Sequence, residues 1–357
     1  MLVIVRIFSK SALLLIALAA LVLSACQPRP DNQNAVNEAA MARLQSNSHP
    51  PENQRGQLLY HLMVAELALR NKQLDLAASE YLLAARLGNS AEVAERAMRI
   101  ALLTKKNDTA LRAARRWVEL EPEPGKKHAR QALALLYLRT NQLDKAADEL
   151  DYLVKSADEK LRETVILQIS GILSQEEDLE SASTLMSKFK TRYPDSANVD
   201  YGMALLAMKA GQTELAQQSI KLALDKRPGE QSYQELHARI LMHQGKQAEA
   251  LKVLETVLAQ YSDSRRLRIS YARLLALAGK YDDAVAQFEM LLKKQPNDAD
   301  LLYAAALLAV EVGKLKKAEA YLHRVLVLKT RINDAHYYLG RIAEKRSHFD
   351  QAIQWYT

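Results

Sequence analysis

The sequence predicts an all-α fold, a solenoid of stacked helix pairs, and three observations carry that prediction. From Leu58 onward one pattern recurs, anchored on Ala77, Ala110, Ala146, Ala182, Ala216, Ala250, Ala284, Ala318 and Ala352. The anchors are spaced by 33, 36 and 36 residues and then by 34 five times over. Twelve residues before each anchor, where a first helix must approach its partner closely, stand Ala65, Met98, Ala134, Ser170, Ala204, Ala238, Ala272, Ala306 and Gly340, and only Met98 is large. The breakers fall between these segments: Pro122, Pro194, Pro228 and Pro296 stand where a missing N–H ends a second helix, and most of the 11 glycines end helices. A two-helix unit of this length cannot bury its apolar face alone and is stabilised by its neighbours.

The chain opens on a different kind of segment. Arg6 and Lys10 precede an uncharged run from Ser11 to Ala25 dominated by Leu and Ala, and the small residues Ser24 and Ala25 come just before Cys26. A basic start, a short apolar stretch and a small-residue cleavage site read as an export signal over residues 1–25. The run is shorter than the roughly 20 residues a membrane-spanning helix needs. Leu23-Ser24-Ala25-Cys26 resembles the bacterial lipobox, which implies cleavage before Cys26 and diacylglycerol on its sulfur. Cys26 is the only cysteine, so a disulfide within the chain is excluded. Each buried methylene contributes about 0.8 kcal/mol, so two or more acyl chains anchor stably. The resemblance implies no other cofactor. Gln27, in place of the Asp that commonly retains such lipoproteins at the inner membrane, fits export to the outer membrane of a Gram-negative cell, facing the periplasm.

Residues 26–55 are rich in Pro, Asn, Gln and Ser, with one Ala-rich patch at 35–44, and read as a flexible tether. About 29 residues of coil span on the order of 30 Å. Loss of Arg6 and Lys10 with the signal takes the formal net charge from +7 to +5, a mild excess that does not by itself point to nucleic acid. The basic residues are not interleaved with aromatics as a strand-binding groove needs.

Residues 56–357 hold the repeats, about nine of them. Four residues after the anchors lie Tyr81, Leu150, Met186, Ile220, Leu254, Phe288, Leu322 and Tyr356, side chains that fill the space between helices; Ala114 departs from this. Thr357 falls in the middle of a second helix, so the last repeat reads as truncated, the solenoid as continuing, and Trp355 and Tyr356 as having nothing to pack under. The 34-residue, two-helix period resembles the tetratricopeptide repeat. That resemblance implies a right-handed superhelix whose inner surface is lined by the first helix of each pair. Inward positions then include Glu95 and Arg99, Leu135 and Leu138, Tyr201 and Leu205, Glu235 and Arg239, Arg266, Ile269 and Arg273, Tyr303 and Leu307, and Tyr337 and Arg341.

Of these, Tyr201, Arg239, Arg266, Ile269, Arg273, Tyr303, Tyr337 and Arg341 are the candidate partner-binding residues, because Tyr and Arg dominate protein-contact hot spots. Glu95–Arg99 and Glu235–Arg239 have the alternative of pairing along their own helices, worth about 0.2–0.5 kcal/mol each. Arg265, Arg266, Arg268 and Arg273 repel one another on one helix and point to an acidic partner segment or to plain solvation. Repeats that clamp chaperone C-termini carry Lys-x-x-x-Asn on a first helix; His61 and Ala65 stand at the nearest equivalents, so that activity is not expected.

Catalytic chemistry is not signalled. The eight histidines are scattered, no pair has the spacing of a zinc protease, and no Gly-x-Ser-x-Gly elbow occurs. His237 and His243 lie six apart on one helix and so on different faces. The chain is expected to be a non-enzyme without a small-molecule substrate. Residues 58–122 resemble the start of a proteobacterial family of long outer-membrane lipoproteins, through Leu62-Met63-Val64-Ala65-Glu66, Val93-Ala94-Glu95-Arg96-Ala97 with Arg99-Ile100-Ala101, and Trp117. The resemblance implies an adaptor that binds a periplasmic carboxyl-terminal processing protease and helps it degrade peptidoglycan hydrolases. Two alternatives remain open: a pilotin-like or exopolysaccharide-secretion scaffold for outer-membrane assembly, and an enzyme whose catalytic domain lies beyond Thr357.

Overall fold

The computed structural model describes residues 53–357. The signal, Cys26 and the tether up to residue 52 lie outside the described residues. Two compact units are present, one ending at Leu153 and the other running from Val154 to Thr357. The described residues form 18 α-helices and one 3-10 turn and contain no strand, the all-α arrangement of helix pairs that the register predicts.

The first unit contains α1 (Gln54–Arg70), α2 (Leu74–Leu87), α3 (Ala91–Leu103), α4 (Asn107–Leu120), α5 (Lys126–Arg139) and most of α6 (Leu143–Lys155). The second contains the 3-10 turn Glu159–Leu161 and α7 (Arg162–Leu173), α8 (Leu179–Arg192), α9 (Ala197–Lys209), α10 (Thr213–Lys226), α11 (Gln231–His243) and α12 (Gln247–Gln260). It continues with α13 (Arg265–Leu277), α14 (Tyr281–Lys294), α15 (Ala299–Glu311), α16 (Leu315–Val327), α17 (Ile332–Lys345) and α18 (Phe349–Tyr356). Odd-numbered helices are the first of each pair. Helix α1 starts at Gln54, two residues inside the expected tether, because Asn53 caps it.

First and second helices begin for different reasons. Asn53, Ser90, Ser196, Ser264 and Asp298 each accept the N–H three residues on, which satisfies an otherwise orphaned donor of a first helix. Helices α2, α4, α10, α12, α14, α16 and α18 have no such cap. They emerge instead from a fixed three-residue turn. In it the Gly211 N–H bonds to Met208 O at 3.1 Å and the Gln212 N–H to Ala207 O at 2.8 Å, and the same pair of bonds recurs after α1, α3, α5, α11, α13, α15 and α17. The middle residue must be left-handed: φ is +74° at Gly211 and Gly279, and Lys105, Asn141 and Ser347 take the same conformation at 57°, 54° and 61°. The turn after α7 departs from this pattern and runs through Ser174–Asp178.

Packing follows the register. The anchors from Ala77 to Ala318 are fully buried, and so are the small residues facing them, Ala65, Ala204, Ala238, Ala272 and Ala306. The last repeat shows why these positions are small: a Cβ added to Gly340 would lie 2.3 Å from the Tyr356 ring, so that glycine makes room for the bulky residue four past the anchor. The second repeat inverts the pair. Met98 stands where the others are small and Ala114 where the others are large, and both are buried, so one substitution fills the space the other vacates. Trp355, expected to lack cover, instead packs against the core formed by α14–α17. Its ring lies 5.7 Å from His323 and 5.4 Å from His336.

Two stability outcomes follow. Met98→Ala alone is expected to cost about 2–4 kcal/mol through the cavity it leaves, and Ala114→Leu alone about 1–3 kcal/mol through overpacking. The double substitution recovers most of both losses in a urea-unfolding double-mutant cycle; simple additivity would disprove the pairing. Gly279→Ala has no neighbouring atom within 4 Å of the new methyl, so its expected loss of about 1–2 kcal/mol in the same assay reports the left-handed backbone alone.

Candidate partner-binding face

In the second unit the first helices α9, α11, α13, α15 and α17 carry the candidate residues at one register, three residues before and one residue after the small position, with Arg266 a turn earlier. Neighbouring first helices pack on one another, which sets these side chains in rows. What each side chain does there differs from residue to residue.

Tyr201 is not presented to solvent. It is 9% exposed and its ring stacks on Tyr233 with centroids 4.9 Å apart. Burial raises its pKa, and the nearby Arg239 and Arg266 pull against that rise. Beneath the pair lies a buried polar network that sequence reading did not find. Tyr233 donates to Asn198 Oδ1 at 2.6 Å, and the Asn198 amide donates to Glu163 O at 2.7 Å and Glu163 Oε2 at 3.0 Å. Two residues on, Asp200 is 1% exposed and receives Lys190 at 2.6 Å and Lys226 at 2.5 Å. Burial is the largest influence on Lys226 and lowers its pKa, but the hydrogen bonds to Asp200 and Lys190 and the charges of Asp200 and Asp195 together outweigh it, and the pKa is raised. Both lysines also donate to Pro194 O. The one signal in the sequence was polar residues at helix-start positions, which caps and solvent explain equally well.

The arginines divide into committed and free. Arg266 donates to Glu235 Oε2 from Nε at 3.0 Å and Nη2 at 2.7 Å. Glu235 therefore pairs across to the next repeat and not along its own helix to Arg239, as the i, i+4 spacing allows. Glu95 and Arg99, by contrast, do pair along their helix at 2.8 Å. Arg265 meets Asp298 at 2.5 Å, and Arg268 donates to Gln287 Oε1 and Ser262 O, both at 2.8 Å. The four-arginine helix is thus largely compensated within the chain. Arg239 and Arg273 are exposed and have no hydrogen-bond or ion-pair partner among the described residues.

The aromatic members lie further along. Arg331 sits 5.0 Å above the Tyr303 ring, which meets Tyr338 edge-on at 5.9 Å. Burial raises the Tyr303 pKa. Tyr337 is 51% exposed and contacts Tyr338 and Tyr356. Arg341 lies 5.9 Å over Tyr338, and Ile269 is half-buried against the core beneath α15.

Elsewhere in the same unit, α11 and α12 border an open cleft of about 470 Å³ lined by Pro228, Gln234, His237, Lys252, Thr256 and Tyr261, among others. Among the described residues no cluster of His, Cys, Asp or Glu is suited to a metal ion, and no helix is long and apolar enough to cross a membrane. His237 is half-buried, and burial lowers its pKa, with Glu249 opposing and Lys246 assisting. The unfolded chain therefore takes this proton first. Stability is expected to be full above the ordinary histidine pKa of about 6.5 and to fall as the pH drops below it. His237→Gln is expected to flatten that part of the melting-temperature profile; an unchanged slope would exclude His237 as its source.

A tetratricopeptide-repeat family model matches residues 241–309, and a second one matches 201–265 and 303–357. The TPR repeat-containing protein PA4667 of Pseudomonas aeruginosa is 26% identical over 218 residues, 60% of this chain. The matched region spans 35% of that relative's length. Among solved structures, a tetratricopeptide repeat protein from Parabacteroides merdae shares 13% identity at a TM-score of 0.44, covering 74% of this chain and 100% of that one. PilW, a type IV pilus biogenesis factor, shares 16% identity at a TM-score of 0.47, covering 56% and 91%. YrrB, a TPR protein with an unusual peptide-binding site, shares 18% identity at 0.38, covering 53% and 96%. With its helix pairs, its 34-residue register and these family matches, the region 201–357 is built of tetratricopeptide repeats.

Proposed function

We propose that this protein-interaction scaffold is a non-catalytic adaptor, held at the outer membrane by a lipid on Cys26, for a periplasmic carboxyl-terminal processing protease that degrades peptidoglycan hydrolases. The observation that carries the binding role is the exposed first-helix surface of the second unit, where Arg239, Arg273 and Tyr337 stand clear while the charges around them are paired. The partner's identity rests on the resemblance of residues 58–122 to the adaptor lipoproteins.

The geometry of that stretch separates packing from recognition. Glu66 accepts the Tyr81 hydroxyl at 2.5 Å and pairs with Arg96 at 2.9 Å, which ties α1, α2 and α3 together. Ala94, Ala97, Ile100 and Ala101 are buried, and Trp117 is buried with its indole N–H donating to Glu121 at 2.7 Å. Most of the resembling residues therefore build the first unit. Leu59, Met63 and Leu103 are exposed apolar side chains there and are free to meet a partner. In this reading the chemistry belongs to the protease, and the lipid and tether supply effective concentration at the membrane where cell-wall enzymes work.

The decisive assay combines purified protease, a purified peptidoglycan hydrolase and the soluble, unlipidated chain starting at Gln27. Hydrolase degradation is expected to accelerate at least about tenfold, about 1.4 kcal/mol of transition-state stabilisation. An unchanged rate, or recovery of secretin or barrel-assembly proteins in place of the protease from a periplasmic extract, overturns the adaptor role. Cys26→Ser is expected to move the protein out of the outer-membrane fraction; a variant that stays there refutes the lipid anchor.

A further inference from the structure

We infer that the first-helix face of the second unit, across α11 and α13, takes an acidic, extended protein segment whose carboxylates seat on Arg239 and Arg273. The inference rests on that face being the protein-binding one and adds the chemistry of what binds there.

The argument is one of charge left over. Helix α13 carries four arginines and no acid. Three are used within the chain: Arg265 on Asp298, Arg266 on Glu235 and Arg268 on Gln287 and Ser262. Arg273 remains, exposed and without a partner among the described residues. One repeat earlier Arg239 stands at the same register, equally exposed. The acid that would neutralise it along its own helix, Glu235, is drawn off by Arg266.

The other acids of these first helices are engaged or set apart. Asp200 is buried under Lys190 and Lys226, Asp300 is held by Arg331, and Glu311 lies at the far end of α15. Across α11 and α13 two guanidiniums on neighbouring helices are thus the uncompensated charges, while Arg341 at the same register of α17 lies over the Tyr338 ring. A planar guanidinium fork matches a carboxylate with two parallel hydrogen bonds and is less strongly hydrated than an ammonium, so it desolvates readily against such a partner.

The spacing and the surroundings define the segment further. Packed helices such as α11 and α13 lie about 8–10 Å apart. A chain in the polyproline conformation repeats its side-chain direction every three residues, an advance of about 9 Å. Acids three apart on such a segment therefore meet both arginines at once. Met242, Ile269 and the exposed Leu277 offer apolar surface alongside for the residues between them.

The test is fluorescence anisotropy with the mature chain and a short fluorescein-labelled peptide bearing Glu at every third position, with Leu and Pro between. The same peptide with Gln in place of Glu, and a single-stranded oligonucleotide of similar charge, are the comparisons. The Glu peptide is expected to bind at least about tenfold more tightly than either, and added salt is expected to weaken it. Arg239→Ala and Arg273→Ala are each expected to cost about tenfold. Arg268→Ala, on the same helix but bonded within the chain, is expected to leave affinity unchanged.

No binding of the Glu peptide, equal binding of the Gln peptide or the oligonucleotide, or indifference to both arginine substitutions overturns the inference. Leu277→Asp and Tyr337→Ala in the protease assay separate this from failure of the face itself. If they abolish stimulation while Arg239→Ala and Arg273→Ala do not, the face stands and the acidic segment falls; if none of the four has an effect, both fall.

Discussion

Everything in this molecule depends on how closely two helix backbones can approach at one point in each repeat. The anchor alanine of a second helix and the small residue twelve positions before it are almost entirely solvent-free in every repeat that follows the pattern. With that approach secured, the larger side chain four past the anchor reaches into the gap. The Gly340–Tyr356 contact is the extreme case, since even a methyl group there would overlap the ring. The exchange of Met98 and Ala114 shows that the constraint acts on the pair and not on either position. Close packing requires the sum of the two volumes to stay nearly constant, and the chain meets that requirement with either partner large.

The turn between the paired helices serves the same constraint. A backbone with two internal hydrogen bonds and one left-handed residue sets the direction of the second helix before any side chain is placed. Glycine occupies that position through the regular repeats of the second unit, and Lys, Asn or Ser occupies it elsewhere, where the local strain is borne by the packing around it. The turn after α7 is different, and there the structure is tied together by polar groups instead. Ser170 donates to the Asn198 carbonyl at 3.2 Å, and Lys209 bridges the carbonyls of Ser174 and Glu176. The buried Asn198 and Asp200 continue that network toward α10 and α11. Buried polar groups of this kind are strongly directional, so they define the alignment of neighbouring helices where the regular apolar pattern is interrupted.

Charge follows the repeat as well. Many of the ion pairs join residues 30–33 apart, one repeat to the next, as Arg96 does to Glu66, Arg266 to Glu235 and Arg265 to Asp298. Exposed pairs of this sort each contribute little, at most about 1 kcal/mol. Their larger consequence is which charges they leave unmatched. By taking Glu235 across to α13, the structure forgoes the Glu235–Arg239 pair along α11 in favour of a bridge between repeats and leaves an open patch around Arg239.

The repeat, the buried alanines and the prolines that close second helices were legible in the sequence, because helix packing repeats a local requirement at a fixed spacing. Volume at a given register position is a property of the residue itself, so Ala204 or Ala250 can be assigned to the core unaided. Side-chain partnership is not. Tyr201 read as a surface residue and is stacked on Tyr233, Trp355 read as uncovered and is packed, and Glu235, left between the inner face and a pair with Arg239, binds Arg266. Long side chains choose among several neighbours at similar distances, and those neighbours come from helices 30 or so residues away. The sequence by itself determined a stack of helix pairs, since that outcome needs only periodic volume and polarity. Which charges and rings remain available to a partner was decided by the tertiary structure alone, since availability is what is left after every competing contact across the helices has been made.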